Sequence, residues 1–165
     1  MIELDIERAK LMLEQKISDQ LSELQALLSL PANSLTEKIE LLQKIRSAIY
    51  ENLNQFQHEN LIIKAAFELQ DEFKEVDVWR WHPNQTGGKS EADLQGYEKN
   101  KIVVSAEITT SLYPQGVIDT RMKKTLEKLN KLEGEKFYVV QTEVMAQRAR
   151  SKVNNMNLSV TIKQI

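Results

Sequence analysis

Cysteine is absent from the chain, which excludes disulfides, cysteine-ligated zinc, iron–sulfur clusters and thiol nucleophiles. The only histidines are His58 and His82, too far apart in sequence to suggest a zinc site. No apolar run approaches the length needed to cross a bilayer. The opening MIELDIERAK is acidic and amphipathic where a secretory signal would be basic and then apolar, so the expectation is a cytoplasmic protein with no membrane partner. Neither sign of charge dominates, since 22 basic and 24 acidic residues leave −2. With 28% charged and 41% hydrophobic residues, collagen-like, low-complexity and wholly disordered chains are excluded. A chain of 165 residues buries roughly 70% of its unfolded surface, enough for one core and a small accessory element.

Leu13, Ile17, Leu21, Leu24 and Leu28 form one helical stripe, which Pro31 stops. Ser34-Leu35-Thr36-Glu37 is a capping box, and Leu35, Ile39, Leu42, Ile45, Ile49 and Leu53 carry a second stripe. Residues 1–55 therefore read as a helical hairpin, expected to pack on the rest of the chain or to form a coiled-coil-like dimer surface. The core is expected over residues 56–165. There a helix runs to Phe73, and β-formers (Val76, Val78, Trp79, Trp81) mark a strand over 74–82. Pro83 to Ser90 reads as a loop. Strands are expected over 91–98 and 101–108, with Asn100 in the turn between them. A helix capped by Asp119, with Met122, Leu126 and Leu129 as its buried stripe, ends near Gly134. A strand over 136–144, a short helix over 145–152 and a strand over 158–165 close the chain. The order from residue 60 is α-β-β-β-α-β with one further short helix.

Two acids stand out because they occupy segments that read as buried. Asp93 lies in Ala92-Asp93-Leu94-Gln95-Gly96, and Glu107 ends the run Val103-Val104-Ser105-Ala106. A buried carboxylate is costly unless a cation meets it. Two of them on strands joined by a tight turn can converge and offer oxygen ligands to Mg²⁺. Gly87-Gly88-Lys89-Ser90 is not a phosphate loop, because Pro83 stands where its first glycine is required and no helix follows Lys89.

This element order and acid spacing resemble the PD-(D/E)XK nuclease superfamily, the fold of many restriction endonucleases, over residues 60–165. That family has an αβββαβ core with an Asp on the second strand and, on the third, a Glu or Asp followed two residues later by Lys. The matching positions are Asp93 and Glu107, with thirteen residues between them. Two departures are plain: Ala92 replaces the Pro of the family name, and Thr109 holds the Lys position. The resemblance implies an α/β fold with a restriction-endonuclease-like mixed sheet behind the N-terminal hairpin. It implies a Mg²⁺- or Mn²⁺-dependent DNA endonuclease, of restriction or defence type, that is a homodimer if both strands of a duplex are cut. Asp93 and Glu107 would hold the metal, Thr109 would act from the Lys position, and Glu91 would be an auxiliary acid on the same strand face. In these nucleases the Lys orients the attacking water and stabilises charge at phosphorus, so either another cation (Lys123, Lys124 or Lys89) takes its place or catalysis is lost. The alternative is an inactive nuclease-fold protein that binds DNA or a protein partner.

Charge is uneven along the chain, −7 over residues 1–115 and +5 over 116–165. Arg121, Lys124, Lys128 and Lys131 recur at helical spacing, and Arg148, Arg150 and Lys152 form a second basic group. Solvated helix faces account for both patterns. Beside a carboxylate pair, Lys89, Arg121, Lys124 and Lys128 are also the residues expected to meet a DNA backbone.

Overall fold

The computed structural model describes residues 1–83 and 91–165, so the expected loop, Lys89 included, lies outside the described residues beyond Pro83. The chain opens with β1 (Ile2–Glu3), a strand the sequence reading lacked, and α1 (Ile6–Leu28). Asp5 caps α1 by accepting from the Arg8 N–H. In α2 (Leu35–Glu72) the capping box forms as expected: the Ser34 hydroxyl accepts from the Glu37 N–H, and the Glu37 carboxylate accepts from the Ser34 N–H. This helix runs 38 residues without a break, so hairpin and core share it across residue 55.

After α2 come β2 (Val78–Trp81), β3 (Leu94–Glu98), β4 (Lys101–Ile108), α3 (Val117–Leu129), β5 (Glu135–Val140), α4 (Glu143–Met156) and β6 (Thr161–Gln164). From α2 the order is α-β-β-β-α-β, with α4 and β6 appended. The six strands form one mixed sheet in chain order. β1 to β4 pair antiparallel, while β4, β5 and β6 are parallel, with α3 and α4 as the crossovers that parallel neighbours require. Lys99 and Asn100, at φ 47° and 65°, make the tight turn between β3 and β4. Gly134 precedes β5 at φ 74°, and a Cβ there would lie 2.3 Å from the Val103 carbonyl carbon, a close approach open only to glycine.

Helices cover both faces of the sheet. On one, Ile62, Ala65, Ala66 and Leu69 of α2 pack with Trp79, Trp81, Val104 and Ala106, so the tryptophans do serve sheet packing. On the other, Met122, Leu126 and Leu129 of α3 and Met145 and Ala146 of α4 pack with Tyr138 and Val140. Each fully buried Leu or Met contributes about 1.5–3 kcal/mol. The cap of α3 corrects the sequence reading, because Gly116 holds the N-cap position without a side-chain bond while Asp119 lies in the first turn. Asp119 instead accepts from Arg148 and Lys152 of α4. The second basic group is thus largely engaged, since Arg150 pairs with Glu143.

The outer hairpin has little core. Beyond Leu13 the only buried residue of α1 is Gln20, and among the described residues α2 buries none before Glu59. The two helices meet through polar pairs, Lys16 with Glu59 at 2.9 Å and Gln20 with Asn52. Most of the apolar stripe expected to pack on the rest of the chain is exposed. No helix among the described residues is long and apolar enough to cross a membrane.

Candidate functional site

The register of β3 and β4 decides whether the two acids meet. Near the turn Tyr97 pairs with Ile102, but a bulge between Gly96 and Tyr97 shifts the pairing so that Leu94 faces Ala106. Continued by one residue, this register sets Asp93 opposite Glu107. Without the extra residue, Asp93 would oppose Ala106, and because side chains alternate, the two carboxylates would point to opposite faces. Asp93 itself stands one residue before β3 rather than inside a strand, as the sequence reading had it. Its position is held by a side-chain bond in which Oδ2 accepts from the Ile108 N–H at 2.8 Å.

Both acids are buried, Asp93 at 2% exposure and Glu107 at 8%. They lie in a cavity of about 510 Å³ at the end of β4, where the two helical layers approach each other. From α2, His58 reaches in with Nε2 at 3.2 Å from the Ile108 carbonyl oxygen and 3.4 Å from Asp93 Oδ2. A carbonyl oxygen only accepts, so this nitrogen carries a proton. Burial pulls the His58 pKa down, but the Asp93 carboxylate outweighs it and the net shift is upward. From α3, Lys128 donates to Glu107 Oε1 at 2.5 Å. Burial pushes Glu107 up to about 7, the Asp93 charge adds to the rise, and Lys128 opposes it. Tyr138 of β5 is pushed to about 12, first by burial, with the Thr109 hydroxyl opposing and both carboxylates adding.

One atom is left over. Asp93 Oδ1 is buried with no hydrogen-bond partner among the described residues, and a carboxylate oxygen in that state costs free energy until something donates to it or coordinates it. Two carboxylates, one of them with a vacant oxygen, are the donor set Mg²⁺ takes from a protein when water and phosphate complete its shell. Among the described residues, no group of three or more His, Cys, Asp or Glu side chains is arranged to hold a metal unaided.

The other expected site residues divide. Thr109 lines the cavity, yet its hydroxyl accepts from the Ser111 N–H and its N–H donates to Val139; it holds the loop after β4. Arg121 lines the same cavity from an exposed position. Lys124 is exposed and lies with Lys128 and Lys131 on a neighbouring groove. Lys123 faces Glu127 at 3.8 Å. Glu91 is a correction: it precedes β3 and pairs with His82 at 2.7 Å instead of joining Asp93. Sequence alone points neither His58 to this cavity nor Lys128 to Glu107. Helical spacing does set both beside buried positions, because His58 stands four residues before the buried Ile62, and Arg121, Thr125 and Lys128 each directly precede a residue of the Met122-Leu126-Leu129 stripe. The chain matches no protein family, no curated protein and no solved structure in comparisons with each.

Proposed function

We propose that this chain is a divalent-metal-dependent DNA endonuclease built on a restriction-endonuclease-like core. The observation that carries the reading is the opposed pair Asp93 and Glu107 in a cavity, with Asp93 Oδ1 buried and unpartnered. The order α-β-β-β-α-β, with Glu107 on the third of these strands and Asp93 one residue before the second, supports it. Asp93 and Glu107 would hold Mg²⁺ or Mn²⁺, which when bound lowers the pKa of water and polarises a phosphoryl oxygen. Lys128 supplies the cation that Thr109 cannot: its ammonium, beside Glu107, orients a water and offsets negative charge growing at phosphorus. Hydrolysis joins the water oxygen to phosphorus and breaks one ester P–O bond, leaving a phosphate monoester and a free hydroxyl. His58 braces Asp93, and Arg121 with Lys124 holds the flanking phosphates.

The second reading, an inactive nuclease-fold protein that binds DNA or a protein partner, draws on Lys128 as well, because an ammonium on Glu107 already meets part of the pair's charge. Incubation of varied duplex and single-stranded DNA with Mg²⁺ or Mn²⁺, alongside calorimetry of metal binding, separates the two. Cleavage lost in Glu107→Gln supports the enzyme. A wild type that binds no divalent metal and cuts nothing rejects it, and DNA affinity without cleavage selects the second reading.

A further inference from the structure

We propose that the outer half of the α1–α2 hairpin is a self-association surface, through which two copies of this chain form a four-helix bundle. On α2, Leu35, Ile39, Leu42, Ile49 and Leu53 follow a heptad seam in which Arg46 fills the single missing place. Toward α1 lies a neighbouring row, the half-buried Leu41, Ile45 and Ala48 running to Asn52, while at its inner end the seam's Ile49 is half-buried and Leu53 shares a groove with Ile17 of α1. On α1, Leu21 and Leu28 stand one heptad apart and are 56% and 67% exposed. A two-helix hairpin has two layers and no interior, and its inner part is closed only because the sheet lies beneath it.

The amount of apolar surface argues for a second copy as the occupant. Leu21, Leu28, Leu35, Ile39, Leu42 and Leu53 together leave on the order of 700 Å² uncovered. That sum comes close to the roughly 800 Å² that each partner gives to a stable interface. A two-fold axis across the hairpin sets the leucines of α1 in one copy against the seam of α2 in the other, so the surface complements itself with matched periodicity. Arg46 fits such a seam by laying its methylenes along the leucines and carrying its guanidinium to the rim. The proposal stands whatever chemistry the cavity performs.

Sedimentation of the full chain at concentrations up to about 100 µM should give twice the 19.1 kDa chain mass. Leu35→Glu with Leu42→Glu should give a single chain mass with unchanged helix content, because both side chains already face solvent. The absence of native cysteine supplies a second measurement: Leu28→Cys should cross-link between copies with a short bismaleimide, while Val144→Cys on the exposed side of α4 should not. A wild type at single chain mass, a double glutamate variant that folds yet stays paired, or equal cross-linking at both positions would each overturn the proposal. Should the glutamate variant not fold, the cross-linking pair decides alone.

Discussion

Two carboxylates meet cations around α3 and end in opposite states. Asp119 lies at the surface, held by Arg148 through two bonds of 2.7 and 3.2 Å and by Lys152 at 3.0 Å; those bonds draw its carboxyl down to about 2. Glu107 is buried, has Lys128 as its cation and Asp93 as a neighbour, and rises to about 7. Around Asp119 two cations meet one partly exposed acid, so the cluster is a brace between α3 and α4. Around Glu107 two acids share one lysine and one histidine, and a buried oxygen remains unpartnered. Basic side chains drawn alike in sequence thus do different work, decided by how many cations each acid receives and whether solvent reaches it.

The largest expected effect breaks the buried cluster. Under the proposed function, Glu107→Gln should lower metal-dependent cleavage by at least about 10³-fold, measured as single-turnover cutting at saturating DNA. Stability should move the other way. A carboxyl whose folded pKa is about 7 against an ordinary 4.5 binds its proton more tightly when folded, so its favourable contribution is complete below pH 4.5 and disappears as pH rises through 7. Metal-free wild type should therefore lose thermal stability between pH 5 and 8, and Glu107→Gln should flatten that fall. A variant less stable than wild type at pH 8 would show that the ion pair with Lys128 outweighs the burial cost.

Lys128→Met should cost about 10²-fold in cleavage without loss of metal affinity in calorimetry, since it removes charge stabilisation and not a metal ligand. Thr109→Lys, which places a lysine where PD-(D/E)XK nucleases carry one, should then give no gain in the wild-type background if Lys128 fills that role as proposed. Arg121→Ala and Lys124→Ala are milder and should weaken DNA binding at every sequence, each reducing the salt slope by about 1. An unchanged slope would make them solvated surface residues.

How far the sequence disclosed this arrangement follows the physics of each element. The helices, the three central strands and their order were legible because hydrophobic period changes from 3.6 to 2 near Phe73 and because Asn100 and Gly134 punctuate the chain. β1 was not, since a strand of two exposed residues, Ile2 and Glu3, has no period to read. Asp93 and Glu107 announced themselves as charges among apolar neighbours. Their convergence depends on the bulge at Gly96, which leaves no mark on composition. Alternation continued back from β3 puts Glu91 on a strand that begins only at Leu94, and Asp119 reads as a cap although its partners lie 29 and 33 residues later. Such long-range ion pairs carry no local signal.

The bulge itself can be tested. At Gly96 a Cβ would lie 3.1 Å from both methyls of Val76 and 3.2 Å from the Trp79 ring, tighter than a packed core accepts without movement. Gly96→Ala should destabilise the protein by about 1–3 kcal/mol in chemical denaturation. If the strands slip to relieve the contact, Asp93 and Glu107 separate, and cleavage should fall by more than the population of unfolded chain accounts for. Activity that tracks folded fraction alone would show that the bulge is maintained by its neighbours and not by the missing side chain.

The smallest expected effect lies in the exposed cluster, and it sharpens the comparison by what it leaves alone. Arg148→Ala removes the bidentate partner of Asp119 but touches nothing in the cavity, so cleavage and metal affinity should be unchanged. The acid limb should respond. Asp119 has a folded pKa near 2 against an ordinary 3.8, so its contribution to stability is complete above 3.8 and is lost as pH falls through 2. Without Arg148 the depression weakens, because Lys152 alone remains, and the onset of acid unfolding should move slightly upward. The shift should shrink further in high salt, which screens a surface pair far more than a buried one. Equal salt sensitivity in Arg148→Ala and Lys128→Met would mean that water reaches Glu107 as freely as Asp119, and the contrast drawn between the two sides of α3 would no longer hold.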